Sequence, residues 1–200
     1  SKGNIGGLLW SSPNNPSWSC LTESELQGIA EICDDNDILA IEDLAYLGMD
    51  FRKDYSQPHK EPYIPTVGKF GKNWITLISA SKIFSFPGPR CGLAIISPIL
   101  NKQEFSQLEE FCGRKRFGHA FSLGGLYVTT SGTTHTAQFA LTKMLESSTN
   151  GEYNFVEVTS EYGKRAKRVC QIFLKYGFEQ VYKKDMDETV GNGFYLTMSY

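Results

Sequence analysis

The segment Ser79-Ala80-Ser81-Lys82-Ile83-Phe84-Ser85-Phe86-Pro87-Gly88-Pro89-Arg90 gathers an amine, hydroxyls and a guanidinium in one short span. It follows the apolar run Trp74-Ile75-Thr76-Leu77-Ile78, which reads as a buried strand. Lys82 therefore falls just past a strand end, where α/β sheets keep their chemistry. Shielding by Ile83, Phe84 and Phe86 would lower its pKa and make it a nucleophile. The Pro-Gly-Pro turn can bring Arg90 back beside the lysine. The planar fork of Arg90 suits an anion such as a phosphate. Taken alone, Lys82 also reads as a solvated lysine in a polar loop.

Two upstream motifs add to this chemistry. Ser12-Pro13-Asn14-Asn15-Pro16-Ser17-Trp18 follows the apolar run Ile5–Trp10. Asn15, ahead of a proline, is pushed to an extended conformation and projects its amide from a turn. In Ile38-Leu39-Ala40-Ile41-Glu42-Asp43-Leu44-Ala45-Tyr46, a strand delivers Asp43 at its end, with Tyr46 close behind. A carboxylate there can hold a protonated ring nitrogen, and a phenol can donate to a ring oxygen. Each motif has an ordinary reading too: an Asn-Pro turn, an Asp that caps a turn, a Tyr in the core. Together, a nucleophilic lysine, an anion clamp and a carboxylate for a pyridinium are what a pyridoxal 5'-phosphate site needs.

With the set Asn15-Pro16, Asp43-x-x-Tyr46 and Ser79-x-x-Lys82 followed by Arg90, the chain resembles the class I/II aminotransferases. These belong to the fold type I superfamily of pyridoxal phosphate that includes aspartate aminotransferase. The resemblance runs over essentially the whole chain. It implies that Lys82 carries the cofactor as a Schiff base and later moves a proton. Asp43 would pair with the pyridine nitrogen, Tyr46 and Asn15 would hydrogen-bond the ring oxygen, and Ser79 and Arg90 would bind the phosphate. Where many members read Asn-Pro-Thr-Gly, this chain reads Asn15-Pro16-Ser17-Trp18, so the turn after Pro16 is expected to differ. The implied function is transfer of an amino group between an amino acid and a 2-oxo acid, by a homodimer when full length. Two alternatives use the same fold: a lyase that cleaves a C–S bond by β-elimination, and a non-catalytic regulatory domain that binds the cofactor.

The 200 residues, 40% of them hydrophobic, suffice for the core of one domain or slightly more. A net charge of −2 gives no reason to expect nucleic acid or a membrane surface, and no apolar run is long enough to span a bilayer. The five cysteines show no C-x-x-C spacing and read as reduced thiols of a cytoplasmic protein. His59, His119 and His135 are scattered, so no metal site is expected.

The elements that must position these residues follow from hydrophobic periodicity. Strands are predicted at 5–10, 38–41, 74–79 and 91–97. The last follows a turn too short for a helical crossover and should run antiparallel. A helix over 23–34 opens on the capping box Thr22-x-x-Glu25. Further helices are predicted at 102–113 and 134–147, with 114–133 partly helical. A long helix spans 153–176, with Phe155, Tyr162, Val169, Ile172, Phe173 and Tyr176 as its apolar stripe. The cluster Lys164-Arg165-Ala166-Lys167-Arg168 reads as its solvated face. Residues 50–71 form a long proline-bearing loop, Gly191-x-Gly193 a turn, and 178–182 and 193–200 short strands. The fold class is thus α/β: a mostly parallel sheet with one antiparallel strand, flanked by helices, and the start of a small α+β domain. Residues 1–150 are expected to be the C-terminal half of a cofactor-binding large domain, and 151–200 an interdomain helix and the beginning of the small domain. On this reading the chain is a fragment, inactive by itself.

Overall fold

Apolar runs of β-branched and aromatic residues become the strands of one sheet. The computed structural model describes residues 5–55, 57–190 and 193–200. Strands β1 (Gly7–Ser11), β2 (Leu39–Asp43) and β3 (Trp74–Ser79) run parallel, and β4 (Gly92–Ile96) runs antiparallel to β3. The order is β1-β2-β3-β4, so the antiparallel strand is where the short connection requires it. Asp43 lies opposite both Ser11 and Leu77, and Ser79 opposite Gly92. That register brings the polar ends of β1, β2 and β3 to one edge of the sheet.

Helix α1 (Glu23–Asp35) joins β1 to β2 and starts on the expected capping box. Thr22 Oγ1 accepts from the Glu25 amide at 3.3 Å, and Glu25 Oε2 accepts from the Thr22 amide at 2.7 Å. Leu26, Ala30 and Cys33 of α1 pack on Ala40 and Val67, with Trp10 and Trp74 alongside. A second cluster joins Ala80, Ile83 and Phe84 to Cys91, Ala137 and Leu141. The loop after β2 is closed by the buried pair Asp50–Arg52, whose guanidinium donates to both carboxylate oxygens at 2.9 Å.

Elsewhere several boundaries depart from the sequence pattern. Short helix α2 (Ala80–Ile83) carries Lys82. The single helix expected over 102–113 is two: α3 (Pro98–Lys102) and α4 (Ser106–Cys112). Ser97 caps α3 by accepting from the Leu100 amide, and Gln103 is extended. Glu104 then bridges Arg116, which breaks the helical path. Gly113, at φ +66°, ends α4, a left-handed position that glycine takes without penalty. The partly helical segment resolves into α5 (Phe117–His119), a π-helical stretch (Ala120–Tyr127) and α6 (Val128–Thr130). Helix α7 (His135–Thr149) follows.

Long helix α8 (Phe155–Lys175) is present, but its inner face is only in part the expected stripe. Of that stripe Phe155 and Tyr162 pack on buried clusters, whereas Val169, Ile172, Phe173 and Tyr176 stay exposed, and the buried positions are Val156, Thr159, Gly163 and Ala166. The reason is close approach: a Cβ on Gly163 would lie 2.7 Å from the Phe51 ring. The basic cluster is solvated, with Lys164 and Arg165 paired to Glu161. The two terminal strands shrink to the antiparallel pair β5 (Glu179–Gln180) and β8 (Met198–Ser199). Between them lies an unanticipated hairpin, β6 (Lys184–Asp185) with β7 (Glu188–Thr189). The Gly191 turn falls outside the described residues. Among those described, no helix is long and apolar enough to cross a membrane, and no cluster could hold a metal ion.

Candidate active site

Asp43 ends β2, where its backbone is fixed on both sides. Its carbonyl accepts from the Ser12 amide at 3.2 Å, and the next amide, Leu44, donates to Leu77 O at 2.8 Å. Its side chain accepts from the Ala45 amide at 2.9 Å. The turn-capping role open to this residue is therefore real, and it also orients the carboxylate. Tyr46 follows in the turn and is buried, at 7% exposure. Its hydroxyl donates to the Tyr195 hydroxyl at 3.1 Å. Burial above all pushes the Tyr46 phenol up to about 12. The Asn15 amide, also hydrogen-bonded to this phenol, works the other way.

Asn15 sits in a pinched turn in which the Trp18 amide donates to Asn14 O at 2.8 Å. Trp18 holds φ +62°, the left-handed region, even though it is not glycine. The expected change of turn is thus met by a strained backbone whose side chain is recovered in the core. Trp18 is 1% exposed, packs on Tyr46 at 5.1 Å between centroids, and donates from Nε1 to Met49 O.

Ser79 caps α2 by accepting from the Ser81 amide at 3.3 Å. Lys82 follows one turn on. Ile83 and Phe84 do not shield it as expected, because both turn into the core cluster with Ala137 and Leu141. The aromatic neighbour of the ammonium is Phe194, whose ring centroid lies 5.5 Å from Nζ. Arg90 does return across the Pro-Gly-Pro turn: Nη1 donates to Pro87 O at 2.7 Å and reaches Ser81 Oγ at 3.5 Å. Close strand approach helps, since a Cβ on Gly92 would stand 2.8 Å from Ile78 O.

A cleft of about 780 Å³ runs along these strand ends. Asp43, Ser79, Ser81 and Arg90 line its polar part, and leucines of β3, β4, the π-helical stretch and α7 its apolar part. The donor set fits a phosphorylated pyridine: hydroxyls and a guanidinium for a dianion, a carboxylate for a cationic ring nitrogen. Lys82 and Tyr46 lie beside this cleft rather than in its lining, under Phe194 and Tyr195. Sequence reasoning missed Ser81, Phe194 and Tyr195. A glycine directly before two aromatics was the available signal, since such a glycine marks close backbone approach.

Comparison with known proteins agrees with the fold. The profile described as aminotransferase class I and II matches residues 1–182, and the chain belongs to that family. A Thermus thermophilus aspartate aminotransferase tetra mutant complexed with tryptophan superposes with a TM-score of 0.64 at 21% identity, over 96% of this chain and 42% of that one. An aminotransferase from Mycobacterium tuberculosis gives 0.63 at 17% identity, over 89% and 39%. N-Succinyldiaminopimelate aminotransferase from the same organism gives 0.60 at 20% identity, over 88% and 39%. The chain thus spans about 40% of the length of these structures. No curated protein matches it.

Proposed function

We propose that the chain is part of a pyridoxal 5'-phosphate-dependent aminotransferase that moves an amino group between an amino acid and a 2-oxo acid. Family membership supports the aminotransferase class and, through it, the cofactor. The observation that carries the finer reading is that Asp43, Ser79 and Arg90 line one cleft at the ends of adjacent strands β2, β3 and β4, with Lys82 one turn beyond Ser79 on α2. When bound, the cofactor would supply the electron sink that lets the amino group leave one carbon for another. Lys82 is then the amine that holds the cofactor covalently and later carries the proton at the substrate Cα. Asp43 keeps the ring nitrogen protonated. Tyr46 and Asn15 face the ring oxygen, and Ser79 and Arg90 take the phosphate.

The same reading assigns residues 1–150 to the second half of the cofactor-binding domain and 151–200 to the interdomain helix and the start of the small domain. It includes a homodimeric complete enzyme and a cytoplasmic location, which the free cysteines suit. Taken by itself, the 200-residue chain is proposed to be inactive.

Incubation with pyridoxal phosphate, borohydride reduction and peptide mapping test the site. The label is expected on Lys82 and is expected to vanish in Lys82→Ala. A label on Lys69 or Lys72 instead would overturn the assignment.

A further inference from the structure

The last residues of the chain meet the candidate site through one hydroxyl pair. Tyr195 lies far from Tyr46 in sequence, yet the two hydroxyls are 3.1 Å apart and the rings stand edge to face at 5.8 Å. The segment that brings Tyr195 in is closely fitted. Gly193 lies against Trp18 so tightly that a Cβ there would come within 1.8 Å of the indole. Phe194 then packs on Tyr162 of α8 at 4.9 Å and on Tyr46 at 5.9 Å, while covering the Lys82 ammonium. Trp18 supports both tyrosines, at 5.1 and 6.1 Å. Rotation of Tyr195 about its side-chain bonds is limited by these rings, so its hydroxyl position is set by packing and not by the hydrogen bond alone.

We infer that Tyr195 is a positioning residue for Tyr46: its hydroxyl holds the Tyr46 phenol, hydrogen-bonded and aimed, at the edge of the Lys82 site. This rests on the reading of Lys82 and Tyr46 as cofactor residues. A phenol pair has the property that such a role needs, because either hydroxyl can donate. With no ring oxygen nearby, Tyr46 gives its proton to Tyr195. When Tyr46 turns its proton to a cofactor ring oxygen, the Tyr195 hydroxyl rotates and donates to the Tyr46 oxygen. No proton is gained or lost, and the buried pair stays satisfied in both arrangements. The tail thereby tunes the acidity of the phenol. The charged group acting on Tyr46 is Asp43 at the end of β2, with neutral Asn15 from the turn after β1, while Lys82 on α2 lies over the neighbouring Phe194 ring.

The test reads Tyr46 directly, without activity. 3,5-Difluorotyrosine placed at position 46 by codon suppression ionises near neutral pH, and its absorbance and fluorine shift give the midpoint in the folded chain. Tyr195→Phe removes one oxygen and keeps the ring. It is expected to raise the midpoint by half a pH unit or more, about a threefold fall in acidity, because the phenolate loses the donor that the rotated Tyr195 hydroxyl supplies. Phe194→Leu keeps both hydroxyls and is expected to leave the midpoint in place. An unchanged or lowered midpoint in Tyr195→Phe overturns the inference. So does an equal rise in Phe194→Leu, which would make the effect one of ring packing. Borohydride labelling of the same proteins is read separately. A shifted midpoint with no label on Lys82 sustains the Tyr46–Tyr195 pair and removes the cofactor role from Lys82.

Discussion

Glu42 and Asp43 are neighbours on β2, and strand alternation sends them to opposite faces of the sheet. Asp43 reaches the cleft, whereas Glu42 is fully buried among its cross-strand neighbours Trp10 and Thr76. Glu42 Oε2 accepts from the Val67 amide at 3.0 Å, but Oε1 and the nearby Trp10 Nε1 have no partner. Desolvation outweighs that amide and the Thr76 hydroxyl and pushes the Glu42 carboxyl up to about 7. The folded chain then holds this proton at pH values where the unfolded chain has lost it. Stability from this residue is complete below about pH 4.5, falls as pH rises toward 7, and stays lost above. Glu42→Gln should therefore unfold at higher urea than wild type at pH 8, by up to about 3 kcal/mol, and match it at pH 4. An equal difference at both pH values would show that shape, not charge, sets the effect. Asp43→Asn separates the two roles of its own position. Asn keeps the acceptor for the Ala45 amide, so urea stability should change by less than about 0.5 kcal/mol. In the complete enzyme turnover should fall about 100-fold or more, the scale of losing one preorganised electrostatic partner, while Lys82 still takes the label. Turnover within a few-fold of wild type would remove Asp43 from the ring nitrogen.

At the scale of elements, glycines in two helices have opposite meanings. Gly28 in α1 has nothing within 4 Å of an added Cβ, so Gly28→Ala should stabilise the chain by about 0.5–1 kcal/mol through helix propensity alone. Gly163 in α8 admits Phe51 into a space that a methyl group would fill. The propensity gain of Gly163→Ala is the same, but overpacking costs about 1–3 kcal/mol, so the net should be destabilising. Urea unfolding of the two variants side by side checks the opposite signs. This contrast also explains what the sequence hid. Strands announced by continuous apolar runs, such as Trp74–Ser79, and the capped start of α1 were legible because their signals are local. So were Asn15, Asp43, Tyr46, Ser79, Lys82 and Arg90, each beside a strand end. The inner face of α8 was only half legible. Phe155 and Tyr162 of the expected stripe do pack, on Phe84 and Phe194, but the rest of the face is set by Phe51 from another segment, and Val169, Ile172 and Tyr176 stay exposed. The break between α3 and α4 depends on the Glu104–Arg116 bridge, and the cover on Lys82 depends on Phe194. Both are long-range contacts that no window of sequence contains.

For the molecule as a whole, the sheet ends on β1, which among the described residues pairs on one side only, with β2. A free edge strand is a template for pairing unless charge, proline or a covering element blunts it. Here the edge is apolar: Ile5 and Leu9 are each 66% exposed, and Leu8 lies between them at 41%. A second apolar area surrounds the cleft, where Leu123, Leu126, Tyr127 and Val128 of the π-helical stretch and α6 face solvent, Val128 at 73%. Isolated exposed apolar residues are ordinary, but contiguous ones drive association. The net charge of −2 offers little repulsion against it. The 200-residue chain should therefore self-associate, with sedimentation velocity showing a weight-average mass that rises with concentration through the micromolar range. Leu9→Lys combined with Val128→Lys puts charge on both areas and touches neither the Asp43–Lys82 site nor the aromatic group around Trp18. That variant should sediment as a monomer and keep the far-UV circular dichroism of the parent. A wild-type chain that is monomeric at every concentration would show that these surfaces are too divided to act as one. Association that survives the double substitution would move the contact elsewhere on the molecule, with the exposed Phe111 and Phe139 the next positions to charge.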